Sequence, residues 1–181
     1  MNGKTRKIAA VGILCALAYG AVAVGRIPLV LFLKYDPKDV VIAFSGFAFG
    51  PSAALASALI VSLAELLTIS ENGILGFAMN VISSCSFACT ASLLHRKRPG
   101  PASAAAGLLC GWACMTSVMM FWNYLVAPVY MGCPRAAVAE LLLPVFLPFN
   151  LIKGGLNAVI AMLLYRPVTA ALRRSRLWGH P

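Results

Sequence analysis

Apolar residues fall in five blocks along the chain, Ile8 to Val24, Val40 to Ile69, Ile74 to Leu94, Ala102 to Val126 and Leu141 to Tyr165. The segments between them hold most of the charge. A helix crosses the hydrocarbon core of a bilayer in about 20 residues, so four of the blocks each suit one crossing. The second block, 30 residues long, is too long for one ordinary span. Phe49-Gly50-Pro51 interrupts it, and a proline following a glycine breaks a helix. The pattern therefore predicts a short helix of about ten residues, then an ordinary one, and six helices in total. A short crossing is tolerated only where other helices shield its ends. The expected fold is a compact all-α membrane bundle.

Composition agrees with that reading. The chain is 61% hydrophobic and 11% charged over 181 residues, against roughly 45–50% and about 25% in soluble domains. Six crossings nearly exhaust such a length, so residues 1–181 are expected to form one integral membrane domain. No G-x-x-x-x-G-K-S/T phosphate loop is present, which argues against a complete ATP-driven pump. The net charge of +10 then reports topology rather than nucleic-acid binding. With the second block split in two, ten basic residues fall on one side: Lys4, Arg6, Lys7, Arg96, Lys97, Arg98, Arg166, Arg173, Arg174 and Arg176. Arg26, Lys34, Lys38 and Arg135 fall on the other, beside Asp36, Asp39, Glu71 and Glu140. Both termini are accordingly expected in the cytoplasm of a plasma-membrane protein. The N-terminal Lys4 to Val24 stretch, with Ala21-Val22-Ala23, resembles a secretory signal, but its apolar run is long enough to span and is read as the first helix.

The six cysteines include two pairs four residues apart, Cys85/Cys89 and Cys110/Cys114. His95 and His180 are the only histidines, and both lie in basic segments, so the cysteines read as small packing residues and no metal site is expected.

Ionisable groups inside a span are costly and mark function by default. Glu65 and Lys153 are the two that stand out. Asn150, Lys153 and Asn157 recur at intervals of three and four, which places all three on one helix face. Pro148 suits the first turn of that helix, so the polar face lies near its outer end. A plainer reading has Lys153 paired with Glu65 to hold the bundle together. Asn123 and Asn80 lie at similar depth on the fifth and fourth helices. Tyr35 and Asp39 belong to a first external loop that mixes aromatic and charged groups, where Asp39 can equally serve as an N-cap. Trp122, Tyr124 and Tyr130 suit interfacial positions. Together these groups suit a small, partly aromatic molecule with many hydrogen-bonding groups. On the first helix, Gly12, Ala16 and Gly20 recur every four residues, a stripe that permits close helix approach, with internal packing as its default use.

Four segments, in order, resemble the substrate-binding (S) components of energy-coupling factor (ECF) vitamin transporters, specifically the riboflavin type. They are Phe32-Leu33-Lys34-Tyr35-Asp36-Pro37-Lys38-Asp39-Val40, Gly46-Phe47-Ala48-Phe49-Gly50-Pro51, Gly76-Phe77-Ala78-Met79-Asn80, and Pro148-Phe149-Asn150-Leu151-Ile152-Lys153-Gly154-Gly155-Leu156-Asn157. One position departs: Val41 follows Asp39-Val40 where riboflavin-type members often carry proline. The resemblance implies a six-helix S component that binds riboflavin from outside as transported substrate, with no resident cofactor and no catalytic residues. Asn150 and Lys153 match family positions that contact the flavin. It further implies a membrane coupling subunit, docked on the small-residue stripe of the first helix, and two cytoplasmic ATPase subunits. Import by toppling of the whole S component would require the apolar exterior this chain has.

Two other readings stay open at this level. One is an S component for another vitamin or a flavin analogue. The other is a self-contained secondary carrier, although such folds often show paired halves and membrane carboxylates. A membrane enzyme fits worse, since no nucleophile and base stand together near the polar groups.

Overall fold

The structure, a computed structural model, describes residues 3–30, 33–69 and 73–174. Phe32, Glu71, Arg176 and His180, which entered the reading above, lie outside the described residues. Helix α1 (Gly3–Gly25) leads into a two-stranded antiparallel hairpin, β1 (Ile27–Val30) and β2 (Leu33–Tyr35), and then α2 (Lys38–Phe49) and α3 (Pro51–Thr68). Helices α4 (Gly73–Lys97) and α5 (Pro101–Met131) follow. The last rod comprises α6 (Arg135–Leu141), a π-helical turn (Leu142–Phe146) and α7 (Leu147–Arg174). Counted as rods, these are the six expected helices, and the small hairpin is the addition.

The break in the long apolar block falls at Gly50. Its φ is +90°, a conformation that a side chain disfavours, and its N–H caps α2 by donating to the Gly46 carbonyl at 2.8 Å. Pro51 then opens α3, where its missing N–H costs nothing. The 12 residues of α2 reach only about 18 Å, short of the bilayer core. Five helical rods are long and apolar enough to cross. The short α2 survives because it is enveloped: it packs on α1, α3, α4 and α7, and eleven of its twelve residues are buried.

The main core joins α2 to the outer helices through Phe44, Phe47, Val61, Phe87, Leu108 and Met115. Helices α4 and α5 approach most closely at Gly107 and Gly111. A Cβ at either glycine would collide with the backbone carbonyl of Ala91 or Phe87, so the internal use of a small-residue stripe belongs to α5.

Two local expectations are corrected. The last rod does not start at Pro148; it is already helical from Arg135. Pro144 and Pro148 are four apart, so a regular helix would clash there, and the wider π turn immediately before α7 relieves it. His95 is not part of a solvated basic loop. It is buried, with Nε2 2.8 Å from the Tyr165 hydroxyl and its ring 4.6 Å from that of Phe47.

Candidate binding site

The end of the bundle that carries the hairpin holds a buried ionic network. Three cations, Arg26, Lys38 and Lys153, meet three carboxylates, Asp36, Asp39 and Glu65. The chain has five acidic residues in all, so most of its negative charge is spent here.

One half of the network centres on Glu65, which α3 buries completely. Its carboxylate accepts from the Lys38 ammonium, from Arg26 Nη2 at 2.9 Å and from Asn80 Nδ2 at 3.0 Å. Arg26 also donates through Nε to Asp36 at 2.8 Å. Arg26 precedes β1 and Asp36 follows β2, so this pair clasps the base of the hairpin. Burial alone would raise the Asp36 pKa, but Lys153, Lys38 and Arg26 outweigh it and hold the carboxyl below its ordinary range.

The other half centres on Asp39. It accepts from Ser84 Oγ at 2.5 Å and Asn157 Nδ2 at 3.3 Å, and its Oδ2 lies 3.6 Å from Lys153 Nζ. Lys153 Nζ is also 3.5 Å from Ser83 Oγ. Tyr35 donates its hydroxyl to Asn157 Oδ1 at 2.8 Å. Burial, then the charges of Asp39 and Asp36, push the Tyr35 phenol up to about 12, so it acts as a donor at neutral pH.

The expected face of α7 therefore exists. Asn150, Lys153 and Asn157 are all buried; Tyr35 and Asp39 bond with Asn157 and Lys153, while Glu65 and Asn80 join the Lys38 and Arg26 half. Asn150 instead donates to the Phe146 carbonyl of its own rod at 2.8 Å. Asn123 is buried on α5, the helix that packs along α7. Gly12, Ala16 and Gly20 lie elsewhere, on an exposed face of α1. Tyr124 is exposed, with Arg135 5.8 Å above its ring centroid.

Three readings change. Lys153 is paired with Asp39, not Glu65. Asp39 does not cap α2: Pro37 holds the N-cap position, and the Asp39 carboxylate turns inward. Lys38, read as an external loop charge, is the largest fully buried side chain of the bundle. Arg26, Asp36, Lys38, Ser83 and Ser84 belong to these buried polar groups, and the spacing argument missed them. Asp36, Lys38 and Asp39 within four residues were the available sign of a network, since short acid–base runs beside an apolar helix can fold inward together.

Residues 6–165 match the family described as ECF transporter, substrate-specific component. The chain is 30% identical over 149 residues to the riboflavin transporter RibU of Staphylococcus aureus, covering 79% of this chain and 78% of that protein. It is 29% identical over 143 residues to the riboflavin transporter FmnP of Bacillus subtilis, with 74% and 75% covered. A solved S component of a bacterial ECF transporter superposes with a TM-score of 0.78 at 27% identity, covering 93% of this chain and 98% of that one. With that family match along most of its length and its apolar helices, the chain belongs to the substrate-specific components of ECF transporters, as a multi-pass bacterial membrane protein.

Proposed function

We propose that this S component binds riboflavin at the hairpin end of the bundle, outside the cell, and passes it inward with a membrane coupling subunit and two cytoplasmic ATPase subunits. The observation that carries this reading is the buried face of α7. Lys153 and Asn157 supply ammonium and amide groups that meet Tyr35 and Asp39 from the first loop and α2, and Asn150 is buried one turn away on the same face. Donors and acceptors in an otherwise apolar enclosure suit a flat heterocycle with carbonyl and ring-nitrogen edges. The names of the relatives point to the same ligand. Flavin is cargo in this reading, not a resident cofactor.

Purified protein that retains ligand should be yellow. Lys153→Ala should lower riboflavin affinity at least tenfold, about 1.4 kcal/mol, in a titration of flavin fluorescence. Equal affinity in a folded variant would confine Lys153 to structural pairing with Asp39.

Orientation has its own test. Arg96, Lys97 and Arg98 are exposed at the end of the bundle opposite the network, as are Lys4, Arg6 and Lys7. The positive-inside rule places that end in the cytoplasm. In a background without the native cysteines, Ala136→Cys should react with an impermeant thiol reagent on intact cells and Lys97→Cys should not. The reverse pattern would invert the topology and move the site to the inner face.

A further inference from the structure

Among the described residues, three buried side-chain polar atoms make no hydrogen bond: Ser62 Oγ, Trp112 Nε1 and Thr116 Oγ1. Buried polar groups are nearly always paired, and each exception calls for a reason. Ser62 is on α3. The other two are one turn apart on α5, and Met119 and Asn123 continue the same face at seven and eleven residues from Trp112.

That face meets the polar face of α7. A Cβ on Gly154 would lie 2.8 Å from Trp112 Nε1 and would collide with the neighbouring ring carbon, while Gly155 faces the benzo ring at 3.3 Å. The indole N–H therefore rests against α7 at the residue after Lys153, between Asn150 and Asn157. Gly154 and Gly155 leave the room it occupies. Thr116 differs from three other helix hydroxyls. Thr68, Ser117 and Thr169 donate to the carbonyl four residues back, at 2.6, 3.0 and 2.7 Å. Thr116 makes no such bond, although its hydroxyl is buried.

We infer that Trp112 and Thr116 are ligand-contacting residues, and that the indole N–H and the threonine hydroxyl bond the acceptor-rich edge of the flavin ring approached by Lys153. This assignment rests on the riboflavin reading above. Indole N–H and ammonium groups are donors only. Donor-only groups facing one edge of a ligand need acceptors there, and the dione ring of a flavin offers carbonyl oxygens and ring nitrogens. The energetic logic also differs from that of Asn157 and Asp39. Those residues must exchange an internal partner for the ligand, whereas Trp112 and Thr116 gain a bond without giving up a partner inside the protein.

The test uses the full chain in detergent, titrated with riboflavin and with lumiflavin, which has the ring system without the ribityl chain. Flavin emission is the readout, and affinity is taken from the midpoint of the titration, because loss of a contacting indole changes the extent of quenching. Thr116→Val keeps the shape and removes the hydroxyl; Trp112→Phe keeps an aromatic ring and removes the N–H. Each should weaken both ligands by about five- to tenfold. The ligand-free melting temperature of Thr116→Val should hold or rise, because no partner inside the protein is lost. Unchanged affinities in both variants, in a wild type that binds, would overturn this assignment alone. Weakening toward riboflavin but not lumiflavin would overturn the ring-edge contact, and a fall in ligand-free stability of Thr116→Val would make its hydroxyl structural. A wild type that binds neither flavin would overturn the riboflavin reading and this assignment with it.

Discussion

Glu65→Ala should destabilise the protein by about 3–5 kcal/mol, the cost of breaking a buried ion pair from one side. Glu65 serves three donors with two oxygens, and Lys38 is fully buried beside it. Removing the carboxylate leaves the Lys38 ammonium in an apolar interior and takes an anion away from Arg26. The hairpin, clasped by Arg26 and Asp36, loses its anchor on α3. Tyr35 and Asp39, which flank Asp36 and Lys38 in sequence, should shift, so riboflavin affinity should fall as well. Thermal unfolding in detergent checks the first effect. Glu140→Ala, at an exposed position, is the control and should stay within about 0.5 kcal/mol of wild type. Replacing Lys38 and Glu65 together by apolar residues of similar volume should cost less than Glu65→Ala, because no unpaired charge remains. If Glu65→Ala unfolds like the control, the Lys38 pairing is not what holds the hairpin down.

The helices were legible because their signals are local. Gly50-Pro51 ends one helix and opens another by backbone chemistry that no tertiary contact needs to supply. Asn150, Lys153 and Asn157 share a face by spacing alone, and burial of that face follows from the apolar residues around it. Ion-pair partners were not legible. Lys38 and Asp39 are adjacent in sequence but diverge by about 100° around α2. One reaches Glu65 on α3 and the other reaches Ser84 on α4 and Lys153 on α7. Which carboxylate meets Lys153 thus depends on α2 standing at the centre of the bundle, a fact of packing order. The same fact explains why Lys38 read as a loop charge: at the start of an enveloped helix, the first turn is interior. The unpaired Trp112 and Thr116 left no trace in the spacing, since an indole and a hydroxyl on an apolar helix look like packing until their partners are counted. Helix α6 was missed because it is only seven residues long and carries the charges of Arg135 and Glu140, so it does not register as part of a span.

A bulky residue on the outer face of α1 should stop transport without touching the ligand. Ala16→Trp is expected to cut riboflavin uptake at least tenfold, about 1.4 kcal/mol, when expressed with the ATPase module, while riboflavin affinity and melting temperature stay at wild-type values. The structure separates two faces of α1. Leu14, Cys15, Ala18 and Val22 are buried against the bundle, whereas Gly12, Ala16 and Gly20 are exposed, with Ile13 and Leu17 beside them. A Cβ added to Gly12 or Gly20 would meet nothing within 4 Å. Inside the bundle the close approach at Gly107 and Gly111 is filled by the backbone of α4. The α1 stripe is likewise built of small residues, but among the described residues no helix lies against it, which suits it to a helix of the coupling subunit. An indole at position 16 would hold such a helix away, yet it would point away from the core and lie far along the chain from Lys153, Asn157 and Asp39. Normal uptake by Ala16→Trp would move docking to another exposed face, such as that of Leu55, Leu59 and Leu63 on α3. Loss of binding together with uptake would give Ala16 a packing role, against its exposure here.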